Sequence, residues 1–317
     1  MSSNAGIAAR YNPRMIAGDI VAAIHARLAH ALAPPGAGFT PFLAGAHVVG
    51  WLDPPRAAAL AAHRDALVVR TDGVRFAAGI ALPAERTAAL GRVAAALAAA
   101  GRLTAWRDER YAVAPVLGAE PLFLLERAAA RFFGVRTYAV HVNGLVQGGD
   151  GPAMWIARRS PRKSIDPGLL DNLVGGGIAA GASVRQTLVK EAWEEAGIPA
   201  PLAAQSRAAG AVHICRAQPD GLQRESIFVH DLPLPADFVP AGQDGEVVEH
   251  RLVSLAEAAR LVANVAGDDV VTADAGLVIM DCLIRQGMVA PDAPEFLALD
   301  ALRHPALEMG ALPRRKP

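Results

Sequence analysis

The stretch GGGIAAGASVRQTLVKEAWEEAGI, residues 175–198, joins a glycine turn to a capped helix that ends in clustered glutamates. Ser183 followed by Gln186 is a capping-box pair, in which hydroxyl and amide each satisfy a backbone N–H left free at a helix start. The pair predicts a helix beginning near Val184. Gly197 suits the left-handed conformation that closes a helix and Pro199 prevents continuation, which puts the end near Ala196. Glu191, Glu194 and Glu195 then stand at i, i+3 and i+4 and share one face, while Val184, Leu188 and Ala192 are spaced to enter a core.

As a helix end this is unfavourable. Acids near a C-terminus oppose the macrodipole at about 0.3–1 kcal/mol each, and like charges four residues apart repel by a few tenths more. A divalent cation reverses both penalties, and hard carboxylate oxygens suit Mg²⁺ or Mn²⁺, which keep positions open for water and phosphate. The competing reading is a solvated acidic helix end.

The surrounding residues favour the cation. The pattern resembles the Nudix box, the loop-and-helix signature of hydrolases that cleave a nucleoside or other organic diphosphate linked to a further group. Gly176 matches its opening glycine, Glu191, Glu194, Glu195 and Gly197 its acidic and closing positions, and Ile198 its terminal aliphatic. Gly and Glu matches at five fixed positions arise by chance on the order of once per million start positions. Two departures stand out: Ala182 replaces the first glutamate of the box, and Lys190 replaces the arginine before the cluster. Lys190 can orient a neighbouring carboxylate as a point charge, without an arginine's planar two-pronged pairing.

Composition bounds the rest. A chain of 317 residues, 52% hydrophobic and 20% charged, suits about two soluble domains. Thirty-one basic and thirty-one acidic residues cancel, so no global charge points to nucleic acid or an anionic membrane. Cys215 and Cys282 read as buried free thiols in a reducing compartment. No run reaches the roughly 20 apolar residues of a membrane span; residues 16–33, interrupted by Asp19, His25, Arg27 and His30, read as an amphipathic helix. The first 33 residues hold one acid and several Arg and Ser, weakly like a transit peptide, and a cytoplasmic N-terminus is the preferred expectation.

The organisation divides near residues 133–134, giving expected units 1–133 and 134–317. Strands are expected at 47–52, 66–71 and 111–117, and helices at 83–100 and 121–133, the latter with Phe123, Leu124, Ala128 and Phe132 on its apolar side. This is a small α+β unit. Strands at 137–146, 153–158, 226–232 and 246–253 and helices at 254–265 and 274–286 surround the box helix, as in an α/β/α sandwich around a mixed sheet.

The likeness extends beyond the box. Residues 101–113, 121–145, the approach DNLVGGGIAAG and the string DGEVVEH (244–250) are similar to one branch of the superfamily, over roughly residues 42–288. That branch includes the Nudix part fused to a fungal thiamine pyrophosphokinase and plant Nudix proteins acting on damaged thiamine diphosphate. It implies an α/β Nudix fold preceded by a small N-terminal domain, and a small organic diphosphate as substrate. Ala182 is tolerated in that branch.

Diphosphate hydrolysis needs cations on the oxygens and a positioned nucleophile. Glu191, Glu194 and Glu195 are the expected Mg²⁺ ligands, with the Gly175 carbonyl to complete the shell. The general base is Glu191 or a loop acid; Glu246 is the loop candidate, as base or extra ligand, against a solvated turn acid. Gly176 and Gly177 let backbone approach a phosphate. Arg159 and Lys163, with Arg158 and Arg162, lie in the loop before the box, to meet the diphosphate or simply to be solvated. His141 and Asn143 read as pocket-lining or as satisfied core residues, and Trp106 as a stacking platform or a hydrophobic anchor. An isopentenyl diphosphate isomerase resembles this fold but carries a cysteine near where residues 173–176 have none. A non-catalytic binding module is expected to lose cluster acids, and all three are present. A Nudix pyrophosphatase for a nucleotide sugar or dinucleotide stays open.

Overall fold

The computed structural model describes residues 15–148 and 151–307. Among these residues the larger sheet has seven strands: β7 (Arg136–Gly148), β8 (Gly151–Arg159), β9 (Leu170–Asn172), β10 (Val174–Gly177), β11 (Arg207–Gln218), β12 (Gly221–Pro233) and β13 (Val247–Ser254). Its order is β11-β12-β7-β8-β13, with β10 on β7 and β9 on β8; β7 and β12 are parallel and the other pairs antiparallel, so the sheet is mixed. Helix α5 (Val184–Ala196) covers one face, joining Leu188, Ala192 and Ala196 to Val140, Val142 and Val174. The opposite face is covered by α7 (Leu255–Ala263), α8 (Ala273–Arg285) and α9 (Phe296–Leu302), which pack with Ala139, Met154 and Ile156. The alternation of Ala139 and Val140 to opposite faces is the period-two geometry of a strand buried on both sides.

The first unit holds a four-stranded sheet, ordered β2-β1-β4-β3, from β1 (Thr40–Ala44), β2 (His47–Leu52), β3 (Leu67–Arg70) and β4 (Gly73–Phe76). Beside it lie α2 (Pro54–Ala59), α3 (Pro83–Ala99) and the hairpin β5 (Arg110–Val113) and β6 (Phe123–Glu126). Phe42, Phe76, Phe123 and Phe133 meet at ring-centroid distances of 5.3–6.0 Å in its core.

Three expectations are corrected. Residues 121–133 are not one helix: they form β6, a 3-10 turn at Arg127–Ala129 and the short α4 (Ala130–Phe133). Alternation decides it, because Phe123 and Leu125 are fully buried and pair β6 with β5. Burying each is worth about 1.5–3 kcal/mol, more than the few tenths of a kcal/mol per residue that helix propensity offers. The strand expected at 111–117 ends at Val113. Helix α1 (Gly18–Ala31), inside the stretch assigned to the first unit, places Val21, Ile24 and Leu28 in the core of the second, with α7 and α8.

The junction is tight. Gly134 closes α4 at φ 55°, and a Cβ there would lie 2.1 Å from the Trp51 carbonyl oxygen; one at Gly50 would lie 2.2 Å from that of Phe133. Only glycine permits this approach of β2 to the turn. No described helix is long and apolar enough to cross a membrane.

Candidate active site

Helix α5 is held at both ends. Ser183 Oγ accepts from the Gln186 N–H at 3.2 Å, and Gln186 Oε1 accepts from the Ser183 N–H at 2.9 Å. At the other end Gly197 adopts φ 64°. Carbonyls there are capped from outside: the Gln243 N–H donates to Glu194 O at 2.6 Å, Ala241 N–H to Ala196 O at 3.0 Å, and His250 Nε2 to Glu195 O at 3.1 Å. The segment at 241–250, which includes the string DGEVVEH, thus fastens the helix end as well as supplying an acid.

Glu191, Glu194 and Glu195 occupy three different settings on one helix face. Glu195, 6% exposed, accepts from the Gly175 N–H at 2.8 Å. Burial pushes its carboxyl up to about 8, with the Gly175 N–H opposing. Glu191 lies beneath Gly176, where a Cβ would stand 2.4 Å from Glu191 Cγ; lack of room is why that position is glycine. Burial raises its carboxyl, against Lys190. Glu194 is more exposed. Lys190 Nζ bridges the last two, 3.1 Å from Glu191 Oε1 and 2.5 Å from Glu194 Oε2. Burial lowers the Lys190 ammonium, but its carboxylate partners outweigh this and raise it.

These residues fit a hard divalent ion. The donors are carboxylate oxygens, one is buried without a cation in contact, and an ammonium already sits between the other two as a stand-in positive charge. Among the described residues no group of three or more His, Cys, Asp or Glu side chains is gathered so as to hold a metal ion as the side chains stand.

On the other side of β10 lies a cavity of about 190 Å³, lined by Gly175, Gly176 and Gly177 with His141, Arg159 and Lys163. The first unit contributes Arg107, Tyr111 and Arg127 to it. The glutamates do not line this cavity; they reach it through the glycine strand, paired to β7 with Gly175 opposite His141. His141 Nδ1 bonds Asn172 Oδ1 at 2.8 Å, and Asn172 continues to Asn143 and Asp231, so His141 is a satisfied residue that also lines the cavity.

The basic loop divides. Every side-chain nitrogen of Arg159 is engaged: Nη1 with Asp171 at 2.7 Å, Nε with the Asp166 carbonyl at 3.1 Å, Nη2 with the Ile165 carbonyl at 2.9 Å. Arg158 is likewise consumed by Glu249, Asp269 and two carbonyls. Lys163 pairs instead with Glu246, which Arg107 Nη1 also meets at 3.1 Å. Burial raises the Glu246 carboxyl, but Lys163 and then Arg107 outweigh this and hold it below its usual range. Trp106, 42% exposed, donates to Asp108 at 2.7 Å and lines a separate groove along α3, away from the glycines. Arg107, Tyr111 and Arg127 were not singled out from sequence as cavity residues; for Arg127 the misassigned helix at 121–133 hid the signal.

The model of the NUDIX domain matches residues 137–274, and one described as a domain of unknown function (DUF4743) matches residues 23–137. Nudix hydrolase 24, chloroplastic, of Arabidopsis thaliana is 39% identical over 264 residues, covering 82% of this chain and 71% of that protein. Nudix hydrolase 20, chloroplastic, of the same plant is 40% identical over 217 residues, covering 68% of this chain and 57% of that protein. An uncharacterized protein of Saccharomyces cerevisiae is 32% identical over 222 residues, covering 65% and 63% respectively.

Proposed function

The chain belongs to the Nudix hydrolases, and from that premise we propose that it cleaves the diphosphate of a small organic molecule, the best candidate being a thiamine-type diphosphate, including oxidised forms. One observation carries the reading: Glu191 and Glu195 of α5, with Glu194 beside them, abut a triple-glycine strand whose far side closes a cavity bordered by Arg107, Arg127 and Lys163. Enzymes of this family generally use a divalent metal, typically Mg²⁺. Here Glu191, Glu194 and Glu195 are the residues that would hold it, with Mn²⁺ as the alternative ion. When bound, such an ion neutralises charge on the diphosphate oxygens.

The chain's own groups do the rest. Gly175, Gly176 and Gly177 let His141, Glu191 and Tyr111 stand directly against the backbone that borders the cavity, since a Cβ at each position would meet those side chains. Water attacks one phosphorus, the bridging P–O bond breaks, a monophosphate and orthophosphate leave, and a carboxylate takes the water's proton. We assign that proton to Glu191, which meets one lysine, rather than to Glu246, which is tied to two cations. Glu246 instead holds Lys163 and Arg107 at the cavity. Arg159 acts as scaffold, each of its three side-chain nitrogens already having a protein acceptor.

The substrate class rests on likeness to the thiamine-related branch. Oxidation turns the thiazolium into a neutral ring, and a preference for that form needs a pocket without facing carboxylates. Asp166, Asp171, Glu225 and Asp274 all line the cavity, so charge supplies no such preference. A cytoplasmic site of action belongs to the same proposal. The test is a hydrolysis screen at one Mg²⁺ concentration over thiamine diphosphate, its oxo derivative, ADP-ribose and a nucleotide sugar. Highest kcat/KM for the thiamine compounds supports the reading. A tenfold advantage for ADP-ribose or the sugar nucleotide removes the thiamine class, and no hydrolysis of any removes the diphosphatase.

A further inference from the structure

We infer that the first unit is part of the active site and that Arg127 is its anion-binding residue, gripping the substrate's diphosphate across the boundary between units. The inference rests on the diphosphatase reading and adds a residue that the Nudix box does not contain.

The placement follows from backbone. Arg127 opens the turn after β6, and its N–H donates to the Glu109 carbonyl at 2.8 Å. Hairpin β5–β6 is stitched to the segment just after the glycine strand: the Ala180 N–H donates to the Arg110 carbonyl at 2.8 Å. A Cβ at Gly177 would come within 2.4 Å of the Tyr111 hydroxyl, so the tyrosine stands where a side chain at 177 would. Arg127 therefore keeps a fixed position relative to the residues that receive phosphate.

Its side chain is oriented but not exhausted. The guanidinium lies 5.8 Å from the centre of the Tyr111 ring, and Nη1 donates to Glu109 Oε2 at 2.5 Å. Among the described residues that is its one side-chain hydrogen bond, which leaves Nη2 and Nε without a protein acceptor. The side chain keeps 36% of its surface accessible and lines the cavity. The contrast with the neighbouring cations is direct. Arg159 has every nitrogen engaged and Lys163 is tied to Glu246; Arg107 and Arg131 make one carboxylate bond each, to Glu246 and Asp220, but among the described residues neither lies over an aromatic ring that would fix its fork. A planar fork with spare donors, held by a stacked ring and one carboxylate, suits two phosphate oxygens. Arg127 lines the same cavity as Gly175 and Gly176, the glycines that Glu195 and Glu191 contact.

The test uses the full chain, with methylenediphosphonate as a non-hydrolysable probe. Arg127→Met keeps the packing on Tyr111 and Arg127→Lys keeps the charge; Arg75→Met, at a surface pair with Asp72 in the first unit, is the control. Calorimetry with Mg²⁺ should show Arg127→Met weakening the probe's Kd by about tenfold or more, Arg127→Lys by less, and the control unchanged. With any substrate found in the screen, KM should rise more than kcat falls. An unchanged Kd and KM in Arg127→Met overturns the proposal, as does a lowered Tm with binding intact, which marks a merely structural arginine. Should Arg127→Met not fold, Arg127→Lys decides: a Kd equal to wild type overturns the proposal. A wild-type protein that binds the probe through Arg127 but hydrolyses no diphosphate removes the catalytic reading and leaves this one standing.

Discussion

Arg158 and Arg159, at the end of β8, and Glu191 and Glu194, in the last turns of α5, are two pairs of like charge in the larger unit. The fold treats them differently. Each guanidinium nitrogen of the arginines finds a carboxylate or carbonyl of the protein, so their charge is spent on pinning the loop at 165–171 and the segment at 268–269. The two glutamates share one lysine that is itself largely exposed, and Glu195 beside them is buried with a single N–H donor. A charge whose bonds the fold completes is scaffold. One left under-compensated beside backbone glycines is available to a ligand.

The comparison breaks most visibly if the glutamates are dispensable. Glu194→Gln and Glu195→Gln should each cut turnover by about a hundredfold or more through lost metal binding, since each amide keeps the shape but not the charge. Thermal denaturation should show Tm unchanged or slightly higher, because repulsion at a helix end is relieved. Full turnover in both variants at saturating Mg²⁺ would move the active site elsewhere.

Arg159→Ala tests the opposite half. It strips the partner from Asp171 and frees the carbonyls of Ile165 and Asp166, and should cost about 1–3 kcal/mol of stability in a chemical denaturation series. Metal affinity should change little. A variant with native stability but a much raised KM would show that Arg159 binds substrate after all.

Lys190 sharpens the boundary, being a charge shared by both roles. Lys190→Arg should hold activity within about tenfold, while Lys190→Ala, which leaves Glu191 and Glu194 unbridged, should weaken Mg²⁺ affinity by more. Titration of Mg²⁺ against initial rate separates the two variants, and equal small effects would make the lysine a bystander.

The helix that carries the acids was legible because its signals are local. Its caps, glycine stop and glutamate register all fall within residues 183–197, and the structure reproduces its bounds. Helices α3, α7 and α8 and strand β2 were legible for the same reason, each having its own period and boundaries. Strands β1, β4 and β11 were not, although β1 and β11 sit in tight hairpins, Ala44 opposite His47 and Gln218 opposite Gly221; only the parallel pairing of β1 with β4, Phe42 opposite Val74, joins positions well separated along the chain. The stretch at 121–133 failed in an instructive way: Phe123, Leu124, Ala128 and Phe132 fit a helical stripe, yet Phe123 and Leu125 are buried together by pairing with β5.

By itself, then, the sequence determined the chemistry on offer: three carboxylates on one helical face, a run of glycines before them and a family likeness, all set by residues within reach of one another along the chain. Tertiary structure alone decided which charges are spent and which are left. That Arg159 is consumed by the loop, that Lys163 and Arg107 converge on Glu246, and that Arg127 arrives from the other unit with donors to spare depend on contacts across 6 to 139 positions. Hydrogen-bond partners are assigned by proximity in space, and a guanidinium reads the same in sequence whether the fold fills its donors or leaves them open.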